Sequence, residues 1–390
     1  MRIAWLTPYL PLEENTGGRI RIARLACGFE PEDELVLYAR IGAHDATPSL
    51  VEAADGAPAA RPWRLIRTEP TNPKSSSLSS RPSPARAMPA RLAERMAEDD
   101  ARAPFDAVVV EHCYAIEALP RLRNAAVIVD EHNIESDYYR RQLGKNPFKL
   151  IEYSTWRRYE RSVWGRADEV VTVSASDAEV VRAAAPGKGV VASNGTRVEA
   201  FRYIAPSARR GSAILYIGMM SYPPNRAAAV TLAREVMPKL RERVPDATLT
   251  LVGRDAGAEI RGLACDYVRV TGTVPEVFQF FDRHAAYAMP LFHGAGSSLK
   301  VLEPFAAGLP LVASEFGVRG YGLDGSEFIR ADDVAGFVSG LTRALSQRAQ
   351  LDAMAERARA VAARHAWSAI GREFAGIVRR VVQARRAGQG

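Results

Sequence analysis

Apolar residues in this chain gather into short uninterrupted runs, spaced so that a helix fits between one run and the next. In the first half the runs are Ile3–Thr7, Glu34–Tyr38, Ala107–Val110, Ala126–Val129, Glu169–Val173 and Val190–Ala192. Continuous runs of this length predict strands buried on both faces, and therefore a parallel sheet covered by helices. The spacing predicts an Arg-rich helix from Ile20 to about Phe29 and a long Arg/Glu-laced helix around 150–165. Residues 52–90 break the rhythm with Pro-rich spacing and the segment KSSSLSSRPSPA, which predicts a mobile loop. The turn Ser193-Asn194-Gly195-Thr196 is where the first set of runs should finish.

A second set then begins. Ala213–Ile217, Thr248–Val252, Tyr267–Thr271, Ala286–Pro290 and Leu311–Ala313 are the strand candidates, and Asn225–Arg243 has apolar 3.6 periodicity. The Ala/Arg-rich stretch from about 334 to 384 is helical, with a break at Trp367. A chain of 390 residues is long enough for two cores. The expected fold class is α/β, with two Rossmann-like doubly wound domains facing each other across a central cleft at the carboxyl ends of both sheets. The boundaries read as 1–205 and 206–367, with the helix 368–390 packing back on the first domain.

Composition narrows the function classes. An apolar fraction of 47% with 25% charged residues is that of a soluble globular protein. The formal charge of +7 suits anionic nucleotides or a negatively charged membrane surface. The arginines are spread along the chain and no nucleic-acid-binding signature occurs, so nucleic acid is not an expected partner. MRIAWLTPYLP reads as a first strand and not as a signal peptide, and no segment is apolar enough to span a membrane. Any membrane contact would be peripheral. Cys27, Cys113 and Cys265 lack metal-ligand spacing and suggest reduced thiols, hence a cytoplasmic location.

One segment carries most of the chemistry. Residues 294–317 read GAGSSLKVLEPFAAGLPLVASEFG. Gly294 and Gly296 permit close backbone approach, and a helix starting after Ser297 or Ser298 would turn free N–H groups toward an anion. Lys300 adds a mobile positive charge, and Glu303 falls on nearly the same helical face. A carboxylate beside a phosphate site suits sugar hydroxyls. Gly308 is placed to cap the helix in the left-handed conformation and Pro310 to stop it. The chain has only 6 lysines against 46 arginines, so Lys300 is not compositional filler.

With these residues in view, the chain resembles the large retaining glycosyltransferase family four, of GT-B fold, over nearly its whole length. The matching pieces are TPYLP…TGGRIR, VDEHNIESDYYRR at 129–141, ADEVVTVSASDAE at 167–179, SNG at 193–195, IGMMSYPPN at 217–225, ATLTLVGRD at 247–255, TGTVPEV at 271–277 and the segment above. The resemblance implies a nucleotide-sugar donor held by the second domain and a glycan, lipid-linked or small-molecule acceptor held by the first. It further implies transfer with retention, with no metal and no cofactor other than the donor substrate. Glu303 matches the glutamate on the nucleotide ribose, Lys300 a diphosphate-region base, and Gly17 and Gly18 the loop over the phosphates. His132 matches the histidine near the reacting sugar and acceptor, and Thr273 and Val274 fall where backbone meets the base. Gly218, Arg254 and His293 join the donor set, and His112 and Asn133 the acceptor set.

Three departures stand out. The first of the family's paired glutamates falls at Ala295, the arginine of GxGxRxKxLE at Ser298, and the usual Arg/Lys couple at Met219 and near Asn225. Neutralising a diphosphate then falls on Lys300, with Arg226, Arg254, Arg19 or Arg319 as substitutes. Two other readings follow: a non-catalytic nucleotide- or glycan-binding protein of the same fold, and a dinucleotide-dependent oxidoreductase. The second lacks GxGxxG after its first strand.

Overall fold

The computed structural model describes residues 1–11, 16–40, 64–68, 82–86, 88–141, 143, 149–293 and 299–388. They form two compact units, one of Met1–Asn194 with Trp367–Gly390 and one of Gly195–Ala366.

Unit 1 is built on a parallel sheet of seven described strands in the order β3-β2-β1-β4-β5-β6-β7. These are β1 (Arg2–Thr7), β2 (Glu34–Arg40), β3 (Arg64–Thr68), β4 (Ala107–Glu111), β5 (Ala126–Glu131), β6 (Glu169–Thr172) and β7 (Val190–Val191). The strands β1 and β4 are buried at nearly every position, as their continuous apolar runs require. Two described parts of the stretch 52–90 correct the loop expectation: Arg64–Thr68 pairs with Val36–Arg40 as an edge strand, and Ser83–Arg86 forms a helical turn, while 52–63, 69–81 and 87 lie outside the described residues. The edge strand's sequence, RLIRT, with only Leu65 and Ile66 apolar, lacks the continuous apolar run that marks an inner strand.

The first helix runs Gly17–Ala26, earlier than its apolar periodicity suggests, because the Thr16 hydroxyl caps it by accepting from Arg19 N at 3.4 Å. The last helix, Trp367–Ala387, belongs to this unit and lays Phe374 on Trp5 at a centroid distance of 5.7 Å.

Unit 2 carries a parallel sheet of six described strands in the order β10-β9-β8-β11-β12-β13. They are β8 (Ala213–Ile217), β9 (Thr248–Val252), β10 (Val268–Gly272), β11 (Ala286–Met289), β12 (Leu311–Ala313) and β13 (Ile329–Arg330). The helix expected over Asn225–Arg243 starts at Pro223, whose fixed φ suits a first turn, and ends at Arg241. A π turn at Leu232–Val236 interrupts it just ahead of Pro238, which has no N–H for the helical ladder.

In each parallel sheet the order in which strands are added reverses once. The switch lies between β1 and β4 in unit 1 and between β8 and β11 in unit 2, and ligands of open α/β sheets bind at the carboxyl ends beside such points. In unit 1 those ends lead into Tyr9 and His112. In unit 2 they lead into Gly218-Met219 and into the segment holding His293.

Candidate active site

In unit 1 four buried ionisable side chains meet at the switch point. Glu111 ends β4, Asp130 lies near the end of β5, His132 follows β5, and Arg21 comes from the first helix. Arg21 grips Asp130 with two bonds, Nε to Oδ2 at 2.8 Å and Nη2 to Oδ1 at 2.6 Å. Its Nη1 donates to Ser193 O at 3.2 Å and Asn194 Oδ1 at 3.4 Å, so the SNG segment is held by the same guanidinium. His132 Nε2 lies 2.5 Å from Glu111 Oε2 and 3.6 Å from Asp130 Oδ2. Trp5 Nε1 donates to the other Glu111 oxygen at 2.5 Å.

Charge balance explains why these groups tolerate burial. Burial pulls the His132 pKa down, but its hydrogen bonds to Asp130 and Glu111 and their negative charges raise it to about 9. Asp130 is held below the usual carboxylate range: burial raises it, and the charges and hydrogen bonds of Arg21 and His132 together more than offset that. Two cations thus face two carboxylates. Glu111, Asp130 and His132 stand close enough to hold a cation between them. All four carboxylate oxygens, however, are already bonded to N–H donors, and Arg21 supplies positive charge where a metal would have to sit. The donor set does not fit a metal.

The Gly18 backbone closes the near side. A β-carbon there would lie 2.1 Å from Tyr9 Oη and 3.2 Å from His132 Nδ1, so only glycine fits. Behind the site a second carboxylate layer is protonation-sensitive. Glu131 accepts from Trp164 Nε1 at 2.7 Å and is raised by burial to about 7. Glu160 accepts from the backbone N–H of Glu135 and Ser136, is raised by burial to about 8, and has Oε2 buried without a partner.

In unit 2 the carboxyl ends are joined by Tyr287 on β11, whose hydroxyl accepts from Ile217 N at 3.1 Å. Gly218 and Gly253 touch backbone to backbone: a β-carbon on Gly253, which has φ 153, would lie 1.7 Å from Gly218 O. Lys300 sits on a 3-10 turn, Leu299–Val301, which leads into the helix Leu302–Ala307 carrying Glu303. Gly308 caps that helix at φ 66 as expected. Both charged side chains are half-buried. Burial lowers the Lys300 pKa against the pull of Glu303, and burial raises Glu303 to about 7 against the charges of Lys300 and Arg197.

The family-pattern departures also have a structural outcome. Asn225 is spent as a brace, donating through Nδ2 to Met219 O at 3.0 Å and accepting from Tyr216 at 3.2 Å. Arg254, just beyond β9, places Nη2 3.3 Å from Met219 Sδ, and its Nε is buried without a partner. Its guanidinium therefore lies against the very side chain that stands at the family's arginine position.

Sequence reasoning located His132, His112, Gly17, Gly18, Gly218, Arg254, Lys300 and Glu303 at the two sheet ends. Asn133 is half-buried after β5, Val274 packs against the unit 2 core, and Thr273 and His293 are exposed. Of the proposed substitutes, Arg226 faces Glu259 at 3.8 Å and Arg319 stacks over Phe316 at 3.7 Å. Gly294, Ala295, Gly296, Ser297 and Ser298 lie outside the described residues. Tyr9, Trp5, Arg21, Glu111 and Arg197 escaped notice. Glu111 had a signal, an acid closing the apolar run AVVV and followed directly by a histidine. Arg21 had none, since it is one of three arginines in the same helix, with Arg19 and Arg24.

Two doubly wound units, each matched along the chain by solved glycosyltransferase-type structures, define the class: the chain has the GT-B fold. More particularly, residues 211–347 match the family Glycosyl transferases group 1. Phosphatidyl-myo-inositol mannosyltransferase of Mycolicibacterium smegmatis is 28% identical over 174 residues, which are 43% of this chain and 44% of that protein. The match thus spans less than half of that relative. Among solved structures, sucrose-phosphate synthase from Thermosynechococcus elongatus superposes with a TM-score of 0.68 at 17% identity, covering 98% of this chain and 100% of the other. Anabaena HepE in complex with UDP-glucose gives 0.66 at 14% identity, covering 97% and 100%.

Proposed function

We propose that the protein is a retaining glycosyltransferase that moves a sugar from a nucleotide-diphosphate sugar to a hydroxyl of a glycan, lipid-linked or small-molecule acceptor, without a metal. The observation that carries this reading is the desolvated Lys300 and Glu303 beside the unit 2 switch point, in the segment that matches the glycosyltransferase family. Lys300 and Arg254 would meet the diphosphate and Glu303 the ribose. The polar groups of unit 1, His132 above all, would face the transferred sugar and the acceptor. HepE was solved with UDP-glucose, which makes UDP sugars the first donors to test. The relative named for phosphatidyl-myo-inositol favours a lipid-linked polyol acceptor, met at a membrane surface.

In the proposed reaction the acceptor oxygen bonds to the anomeric carbon on the face from which the diphosphate leaves. The bond from carbon to phosphate oxygen breaks, and the hydroxyl proton passes to the departing phosphate. His132, kept protonated by its two carboxylates, cannot serve as the base and supports this assignment of the proton.

Thermal unfolding with UDP, GDP, UDP-glucose and GDP-mannose tests the reading. A true donor at a hundred times its dissociation constant adds about 2.7 kcal/mol of stability. If none of the four shifts the transition, the transferase reading fails. Met219, where the family has arginine, favours a second reading as a non-catalytic binder of the same fold. That protein would bind a nucleotide sugar and release neither free sugar nor product.

A further inference from the structure

Tyr9 follows β1 and His112 follows β4, so the two stand on either side of the unit 1 switch point. The Tyr9 hydroxyl lies 2.9 Å from His112 Nε2 and 3.5 Å from His132 Nδ1. His112 has φ 61, a left-handed conformation uncommon for a residue with a β-carbon, and Tyr114 stacks on its ring at 5.0 Å. Its Nδ1 is buried without a hydrogen-bond partner. Backbone strain that aims a ring at a tyrosine hydroxyl, while leaving the other ring nitrogen unsatisfied, calls for an explanation beyond packing.

The bonds have a direction. Both Glu111 oxygens act as acceptors, one from Trp5 and one from His132, so His132 carries a proton on Nε2. If Nδ1 is also protonated, His132 donates to Tyr9. The Tyr9 O–H then donates to His112 Nε2, and neutral His112 carries its proton on Nδ1. If His132 holds a single proton, on Nε2, the two Tyr9 bonds reverse and His112 Nδ1 is bare. The tautomer of His112 therefore reports the protonation of His132 through one hydroxyl.

We propose that Tyr9 is the positioning residue of unit 1: clamped on His112, its hydroxyl fixes the His132 ring with Nε2 on Glu111 and Nδ1 toward Gly18, and couples the protonation of His132 to the tautomer of His112. The longer of its two bonds leaves His132 Nδ1–H open to a substrate oxygen, while the shorter keeps Tyr9 in place. Only the identity of that oxygen, a sugar or acceptor hydroxyl, rests on the transferase reading. The charged and titratable groups facing this chain are Arg19 and Arg21 from the first helix, Glu111 from β4, Tyr114 beyond it, Asp130 from β5 and Glu135 from the next helix. Arg21 and Asp130 neutralise each other, which leaves Glu111 as the counter-ion of His132.

The full-length chain with its 6 histidines labelled with nitrogen-15 provides the test. Nitrogen spectra across pH, assigned with His112→Gln and His132→Gln, report each ring's protonation. The wild type at pH 7 should show His132 with both nitrogens protonated and His112 as the Nδ1–H tautomer. Tyr9→Phe, which keeps the ring and removes one oxygen, should lower the His132 midpoint by about one unit. It should also free the His112 tautomer from the His132 titration. An Nε2–H tautomer of His112 in the wild type at pH 7, or a His132 titration that Tyr9→Phe leaves unmoved, overturns the proposal. Neither result depends on turnover, so a wild type that binds no nucleotide sugar would defeat the transferase reading and leave this one standing.

Discussion

At the carboxyl end of the unit 1 sheet the ionised groups have protein partners, Arg21 with Asp130 and His132 with Glu111. At the end of the unit 2 sheet Arg254 rests on a methionine sulfur, and Lys300 and Glu303 are half-buried with no bonded counter-ion among the described residues. Both sites stand at a switch point of the same kind of sheet, so topology does not cause the difference. A buried site that balances its own charge is finished before any ligand arrives. A partly desolvated site whose cations make no hydrogen-bonded ion pair among the described residues is completed by an anion, which is what a diphosphate would supply.

The comparison is most easily broken at its most complete pair. Arg21→Ala should cost about 3–5 kcal/mol in chemical denaturation, because it leaves Asp130 charged and buried. A loss under about 1 kcal/mol, the range of a surface pair, would mean that unit 1 is not preassembled in the sense claimed. A smaller effect belongs to unit 2. Glu303→Ala and Lys300→Ala should each weaken nucleotide-sugar binding by about 2 kcal/mol, roughly thirtyfold in Kd, with little change in stability. His132→Ala should lower turnover more than donor binding. Equal, near-normal kinetics in all three variants would remove these assignments.

The smallest effect sharpens the electrostatic side. Glu160 is raised to about 8 and His132 to about 9, so in each case the folded state holds a proton that the unfolded chain has released. Their stabilising contributions are complete below the ordinary glutamate and histidine pKa values respectively. They are lost as pH rises through about 8 and about 9. Stability should therefore fall between pH 7 and 9, by up to about 1.4 kcal/mol per pH unit for each group, with Glu160 contributing up to about pH 8 and His132 up to about pH 9. Glu160→Gln should flatten that fall. An unchanged slope would show that Glu160 does not hold its proton in the folded protein.

Much of the fold was legible because parallel strands buried on both faces leave continuous apolar runs, as AVVV and AVIV do in β4 and β5. The edge strand Arg64–Thr68 was not, since an edge position imposes no such run. In the site, the glycines, His132, Lys300 and Glu303 could be found because chemistry restricts those positions to few residue types. Arg21 and Tyr9 could not be found, because their roles come from burial and from partners more than a hundred residues away in sequence. Asn225 and Met219 show the reverse case. Their departure from the family pattern was plain in the sequence, but the brace from Asn225 and the contact between Arg254 and Met219 are properties of the folded chain.

Hydrogen exchange of the full-length chain, with and without UDP, GDP, UDP-glucose and GDP-mannose, tests the contrast between the two sites most directly. A ligand should slow exchange in unit 2 at residues 217–225, 253–255 and 299–308, and leave residues 107–112 and 126–132 of unit 1 as slow as they already were. Nucleotide protection confined to unit 1, or fast exchange at 107–112 and 126–132 in the free protein, would contradict it.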